Sequence, residues 1–93
     1  MSSSIYIGKL VAEPSIEAKI NQKHNVTLDE VREAIQWPAV AEAAKEEHPV
    51  HGIRWVCVGT VADGRQLIAW IMPRPPHFEE SADTWTLKTA SWL

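Results

Sequence analysis

Residues 23–31 read KHNVTLDEV, and they mark the place where one short helix ends and a second begins. Thr27 and Glu30 have the spacing of a capping box, in which the Thr27 hydroxyl accepts from the Glu30 backbone N–H and the Glu30 carboxylate accepts from the Thr27 N–H. Asn25 tolerates the left-handed conformation in which many helices end. The stretch therefore predicts a first helix that ends near Asn25 and a second that begins at Leu28.

Prolines bound this helical region on both sides. Pro14 stands at the expected start of the first helix, and Pro38 disfavours helical geometry at Trp37, so the second helix is expected to end there. Residues 38–47 read PAVAEAAKEE, in which strong helix formers follow a proline that suits a first helical position. This composition predicts a third helix.

A β-hairpin is predicted after the helices. Residues 53–61 and 66–72 are rich in apolar and β-branched side chains, and Asp63-Gly64 between them is a strong hairpin signal. A two-residue turn at this point pairs Cys57 with Trp70 and makes both faces of the hairpin apolar. Such a hairpin is expected to be covered on both sides or to pack on a partner.

Two further strands complete the predicted sheet. Residues 5–11 have the composition of an edge strand, and residues 84–92 alternate in character as a closing strand does. The alternation places Lys88 on the same face of that strand as Thr86. We expect residues 1–93 to form one α+β domain, in which two or three N-terminal helices pack on an antiparallel sheet of three or four strands.

Composition limits the classes of function. The net charge of −3 argues against strong binding of nucleic acid over the whole surface, although it leaves room for a local basic patch. No segment has the apolar length of a membrane span, and the first residues lack the pattern of a secretory signal, so no membrane partner is expected. Because Cys57 is the only cysteine, the chain can form no internal disulfide, which is typical of a cytoplasmic protein.

Several short motifs follow one another in a fixed order. They are the turn Lys23-His24-Asn25-Val26 between two helices, Gly52 and Arg54 at the opening of a strand, Gly59 within that strand, and the turn Asp63-Gly64. This order resembles the BrnT-type toxins, a branch of the RelE/ParE-like fold. The resemblance extends over about residues 13–92, and it implies a RelE/BrnT-like arrangement of helices and strands.

The resemblance also implies a function. BrnT-type toxins are endoribonucleases of type II toxin–antitoxin systems, and a small antitoxin protein silences them. RNA cleavage without a metal needs positive groups beside the phosphate and a proton acceptor for the ribose hydroxyl. The catalytic candidates in this chain are Arg54, Arg74, Lys88 and His24. Thr86 and Ser91 stand where the closing strand of the family carries arginines, so we expect a degenerate active site.

Other interpretations of the same residues stay open. The replaced arginines and the apolar hairpin also fit a non-catalytic protein-interaction module, with an antitoxin or a second copy of the chain as its partner. A DNA-binding helix-turn-helix is disfavoured, because Asp29, Glu30 and Glu33 crowd the first turns of the second helix. His48 and His51 lie in a loop, where such pairs are more often solvated than bound to metal, and we expect no metal and no cofactor.

Overall fold

The computed structural model describes residues 2–38, 40–50, 52–73 and 83–93. In chain order the elements are strand β1 (Ser2–Tyr6), strand β2 (Lys9–Val11), helix α1 (Pro14–His24), helix α2 (Leu28–Val31), strand β3 (Val40–His48), strand β4 (Gly52–Thr60), strand β5 (Gln66–Pro73) and strand β6 (Thr84–Trp92). Helix α2 continues as a π-helical turn over Arg32–Gln36. No helix within these ranges is both long enough and apolar enough to cross a membrane.

The six strands of the described residues form one curled sheet in the order β1-β3-β4-β5-β6-β2. Neighbouring strands run antiparallel, except that β2 pairs in parallel with β6. Helix α1 packs against β6, and the π-helical turn packs against β3 and β4. The predicted RelE/BrnT-like arrangement, with two or three N-terminal helices on three or four antiparallel strands, is therefore wrong, because strands dominate the structure.

The segment that was predicted to form a third helix is strand β3. Its side chains alternate with the two-residue period of a strand, since Ala41 and Ala43 are buried whereas Val40 and Glu42 are exposed. Hydrogen bonding to β1 on one side and β4 on the other outweighs helix propensity, which differs among ordinary residues by at most about 0.7 kcal/mol. The small buried alanines also leave room for the π-helical turn to pack against this strand.

The junction of the two helices follows the sequence prediction. The Thr27 hydroxyl accepts from the Glu30 backbone N–H at 3.1 Å, and the Glu30 carboxylate accepts from the Thr27 N–H at 3.0 Å. Asn25 adopts the left-handed conformation, with a φ of 54°. The second helical segment ends near Pro38 as expected, after the N–H of Trp37 donates to the carbonyl of Arg32.

The β4–β5 hairpin forms, but its turn is one residue longer than predicted. The loop comprises residues 62–64, and Gly64 adopts a φ of 93°, as the last residue of a three-residue hairpin loop often does. Cys57 therefore pairs with Ala69 and not with Trp70. Because a shift of one residue turns each side chain of a strand to the opposite face, Trp70 lies on the other side of the sheet from Cys57.

One face of the sheet packs against the π-helical turn and holds the core. Cys57, Ala69 and Ala90 are buried side by side across three strands on this face. Gly59 lies there as well, and its missing side chain allows a close approach, since a Cβ at Gly59 would stand 2.5 Å from the Ala34 carbonyl oxygen. Gly59 thus makes room for a helical segment.

The opposite side of the sheet is called the outer face from here on. It carries Arg54, Val56, Val58, Ile68, Trp70, Met72 and Thr89. These side chains are half-buried or exposed, and Val58 is 45% exposed. Within the described residues the hairpin is therefore not fully covered on both faces, and the alternative expectation, that this face packs on a partner, stays a prediction.

Side chains of the second helical segment close the free edge of β2. The backbone N–H of Leu10 donates to Gln36 Oε1 at 2.8 Å, and the Leu10 carbonyl accepts from the Arg32 guanidinium at 3.2 Å. Both backbone groups of Leu10 thus find partners without a further strand. Such cover protects the edge of a sheet from pairing with another chain.

Candidate functional site

A cavity of about 490 Å³ opens where α1 meets the strands of the outer face. It is lined by Ile16, Lys19, Arg54, Met72, Lys88 and Thr89. Three of these side chains are basic and come from three elements: Lys19 from α1, Arg54 from β4 and Lys88 from β6. A chain with a net charge of −3 therefore gathers positive charge at one place. This cavity is called the basic pocket below.

Arg54 reaches the basic pocket from strand β4. Its cross-strand neighbour is Glu46 of β3, and the two side chains form an ion pair. The Arg54 side chain is only 15% exposed, and its Nε is buried with no hydrogen-bond partner among the described residues. A buried N–H without a partner is costly, and an anion in the basic pocket would offer that N–H a charged acceptor.

The Glu46 carboxylate lies beside two groups of the outer face. The hydrogen bond from Arg54 is the main cause that lowers the pKa of Glu46, and the Trp70 side chain lowers this pKa further. The carboxylate is therefore ionised at neutral pH. Glu46 itself does not line the basic pocket.

Lys88 enters the basic pocket because strand β6 is irregular. Trp70 of β5 pairs with Thr89, but the next residue of β5, Ile71, pairs with Leu87, so Lys88 is an extra residue between the two pairs. A bulge of this kind interrupts the alternation of side chains along a strand. Lys88 and Thr89 consequently line the same cavity although they are neighbours in sequence. Lys88 thus lies on the side of Thr86 as predicted, but the predicted alternation is wrong after it, because Thr89 lies on the same side.

The structure brings together two of the four predicted catalytic residues, Arg54 and Lys88. His24 is the last residue of α1, is exposed, and does not line the basic pocket. Arg74 follows the end of β5 and lies outside the described residues. The basic pocket therefore contains Arg54 and Lys88 of the predicted site but not the imidazole of His24.

Lys19 is a pocket residue that the sequence analysis missed. It stands three residues after Ile16, a spacing that places both side chains on one face of a helix. That spacing was visible in the sequence. What it could not show was that this face of α1 lies beside β6 and opens toward Arg54.

The other candidate groups of the chain offer no second reactive centre within the described ranges. Burial raises the pKa of the Cys57 thiol to about 11, which keeps it protonated and unreactive. The described residues contain no group of three His, Cys, Asp or Glu side chains placed to hold a metal ion. His51 and His77 lie outside the described residues, and His48 Nδ1 accepts from the Val50 N–H at 3.1 Å. A smaller hollow of about 330 Å³ beside α1 is lined by Pro14, Glu17, Ala18, Asn21 and Thr27, with no basic side chain among them.

The side chains of the basic pocket suit the binding of phosphate better than the cleavage of RNA. Two lysines supply positive charge, and the arginine adds a planar donor group that matches phosphate oxygens. None of the described side chains that line the cavity is a carboxylate or an imidazole. A proton acceptor for general-base catalysis is therefore missing from this lining.

Comparisons of this chain with protein-family models, with curated proteins and with solved structures gave no match.

Proposed function

We propose that this chain binds RNA through phosphate groups at the basic pocket, as a toxin-like member of a toxin–antitoxin pair in the cytoplasm. The observation that carries the proposal is the convergence of Lys19, Arg54 and Lys88 on one cavity. Phosphate contacts from lysine and arginine supply much of the affinity of proteins for nucleic acids, because they release condensed counterions. The resemblance of the sequence motifs to the BrnT-type toxins supports RNA as the polyanion.

Cleavage of the bound RNA is expected to be weak or absent. A metal-independent ribonuclease needs a proton acceptor near the ribose hydroxyl, and the described lining of the basic pocket supplies none. Thr86 and Ser91 also replace two arginines that the BrnT-type pattern has on its closing strand. The proposed activity is therefore the binding of RNA, and a separate experiment addresses whether the bound RNA is cleaved.

A binding titration tests the phosphate contacts directly. The fluorescence anisotropy of an end-labelled single-stranded RNA is followed as the protein is added, at a series of salt concentrations. Each phosphate contact contributes about −0.7 to the slope of log K against log salt for a single strand. Arg54→Ala and Lys88→Ala are each expected to weaken binding and to make this slope shallower by about that amount.

The matched control for these variants is Lys45→Ala. Lys45 is exposed on β3 and does not line the basic pocket, so its removal changes the net charge by the same amount at another place. Equal losses of affinity for Lys45→Ala and Lys88→Ala would contradict a localised site, and so would native affinity in both pocket variants.

Induced expression in a bacterial host addresses catalysis. Growth arrest with loss of messenger RNA would show that cleavage occurs, and the Arg54→Ala, Lys88→Ala double variant is then expected to restore growth. Normal growth with intact RNA would rule out the enzymatic version while leaving RNA binding untouched. The double variant needs a folding check by circular dichroism, since Arg54 is also the partner of Glu46.

The outer face favours a second candidate function, a non-catalytic protein-interaction module. Val58 is 45% exposed, and its neighbours Ile68 and Trp70 are only half-buried. Apolar surface of this kind often marks a place where another protein docks, here an antitoxin or a second copy of the chain. Light scattering on protein purified from its native host checks this candidate. A strict monomer without a co-purifying protein would contradict it.

A further inference from the structure

We propose that Trp70 is a stacking platform for a nucleobase beside the basic pocket, so that the preferred ligand is single-stranded RNA. This inference rests on the proposed function and adds the ligand class to it. The chemistry that recognises the ligand is then twofold: cations for a phosphate group and an indole face for the adjoining base. Stacking on aromatic side chains is the general means by which proteins hold single strands without reading their sequence.

The register of the sheet places Trp70 next to the basic pocket. Trp70 lies opposite Val56 on one neighbouring strand and opposite Thr89 on the other. Thr89 lines the basic pocket, and Arg54 stands two residues before Val56 on the same face of β4. Diagonal neighbours of this kind have backbones about 7–8 Å apart, within reach of long and aromatic side chains. The ring and the cations therefore belong to one continuous surface.

Glu46 connects Trp70 with the arginine of the basic pocket. Its carboxylate forms an ion pair with Arg54, and the Trp70 side chain lies close enough to lower the pKa of the same carboxylate. The indole and the guanidinium therefore approach one carboxylate on the outer face. A ligand that reaches Arg54 is thus near the half-buried ring of Trp70.

The other tryptophans of the chain have different surroundings in the described residues. Trp55 and Trp85 pack edge to face, with their ring centroids 6.2 Å apart. The Trp92 ring is covered by the Arg65 guanidinium at 4.0 Å, and the Trp92 N–H donates to the Asn25 carbonyl. Trp37 is 60% exposed and does not line the basic pocket. Trp70 thus combines a position on the outer face with proximity to the pocket cations.

A single strand fits this surface better than a duplex does. In double-stranded RNA the faces of the bases are stacked on each other and are closed to a protein side chain, whereas unpaired bases can stack on an aromatic ring. Thr89 of β6 lies opposite Trp70, with Thr86 and Ser91 on the same face of this strand, and these half-buried residues offer hydroxyl groups to a ribose or a base edge. A protein partner would contact the apolar side chains, but its binding would not explain why three basic side chains converge on one cavity.

The test compares three ligands of equal length: a single-stranded RNA, its duplex, and an abasic strand with the same phosphates but no bases. For the native protein we expect the single strand to bind about 5- to 150-fold more tightly than the abasic strand, which is the range that one stacked base contributes. Tryptophan fluorescence should be quenched by the single strand and not by the abasic strand. The duplex is expected to bind more weakly than the single strand.

Two substitutions assign the effect to the ring. Trp70→Leu removes the aromatic face and should reduce the affinity for the single strand to that for the abasic strand. Trp70→Phe keeps an aromatic ring and should retain most of the preference, while the binding-induced quenching disappears. Trp37→Leu is the matched control, because it removes an exposed tryptophan elsewhere and should change neither measurement.

The outcomes separate this inference from the proposed function. If the native protein binds the single strand and the abasic strand equally, stacking is overturned, whereas weaker binding by Arg54→Ala and Lys88→Ala would still uphold the phosphate site. If those two variants bind RNA as the native chain does, the proposed function itself fails.

If the native protein shows no preference for bases, and Trp70→Leu loses a co-purifying protein instead, the ring belongs to a protein interface and the inference is overturned. Even if Trp70→Leu does not fold, the affinities of the native protein for the single strand and the abasic strand decide whether a base is stacked.

Discussion

Gly59 is the position at which the fold tolerates a side chain least. A Cβ there would stand 2.5 Å from the carbonyl oxygen of Ala34 and 2.8 Å from its Cβ. These atoms belong to the π-helical turn and cannot rotate away, so the turn itself would have to move off the sheet. We expect Gly59→Ala to lower the free energy of unfolding by about 3 kcal/mol, at the upper end of the usual cost of overpacking a core, as measured by urea denaturation.

The control for this substitution is Gly64→Ala. Gly64 has a φ of 93°, but no atom lies within 4 Å of the Cβ that alanine would add. Its substitution therefore costs backbone strain alone, about 1–2 kcal/mol. A Gly59→Ala protein that is as stable as Gly64→Ala, or more stable, would contradict the close contact between β4 and the π-helical turn.

Cys57 links the stability of the protein to pH. Burial raises the pKa of its thiol from the ordinary value of 9.0 to about 11, so between these values the unfolded chain loses the proton while the folded chain keeps it. Stability from this group is fully present below pH 9 and falls as the pH rises toward 11, by at most about 3 kcal/mol. The free energy of unfolding of Cys57→Ala should lack this decline. The difference in free energy of unfolding between the native protein and Cys57→Ala should therefore change with pH. A constant difference from pH 8 to pH 11 would disprove the prediction.

At the scale of elements, the cover over the edge of β2 depends on one amide side chain. Gln36 Oε1 accepts from the backbone N–H of Leu10, a residue that is 0% exposed. Gln36→Ala leaves this buried donor without a partner, and we expect a loss of about 1–3 kcal/mol in the free energy of unfolding. Faster hydrogen exchange at the Leu10 amide should accompany the loss.

The control for the edge is Gln22→Ala. Gln22 is exposed on α1, and substitutions at such positions change stability by about 0.5 kcal/mol or less. If both glutamine variants are equally stable, the side chain of Gln36 contributes nothing to the edge.

The elements that the sequence predicted well are those decided by local contacts. The capping box and the left-handed Asn25 lie within a few residues of one another, so their effect can be read from the sequence alone. Strand β3 was missed because its alanines and glutamates favour a helix locally, and only pairing with β1 and β4 makes a strand of them. The register of the hairpin was missed because Asp63-Gly64 fits turns of two and of three residues.

At the scale of the whole molecule, the basic pocket could be predicted only in part. The resemblance to a toxin family singled out Arg54 and Lys88, but their approach to Lys19 depends on the packing of α1 beside β6. The bulge at Lys88 depends in turn on how β5 pairs with β6. A site built from three distant segments cannot be derived from spacing in the sequence, because its geometry exists only in the folded chain.

Strand β6 is the element on which the folding of the whole chain should depend most. It lies between β5 and β2 and contributes the fully buried side chains of Leu87 and Ala90. A chain that ends at residue 83 leaves β2 without its partner and opens the core along β5. We expect it to show no cooperative urea transition by circular dichroism.

The control is a chain that begins at Ile7. It lacks β1, which lies at the edge of the sheet and pairs with β3 alone, and it should keep a cooperative transition at a lower urea concentration. A cooperative transition in the chain that ends at residue 83, or its loss only in the chain that begins at Ile7, would contradict the central role of β6.

The carboxylate of Glu46 has a consequence for the evolution of this protein. Since Arg54 is only 15% exposed and forms an ion pair with Glu46, replacing either residue leaves the other with an unpaired charge. Single substitutions at these positions should therefore be removed by selection, whereas joint replacements survive. In an alignment of descendants of the same ancestral gene, positions 46 and 54 should therefore vary together, whereas the exposed position 45 should vary independently of them.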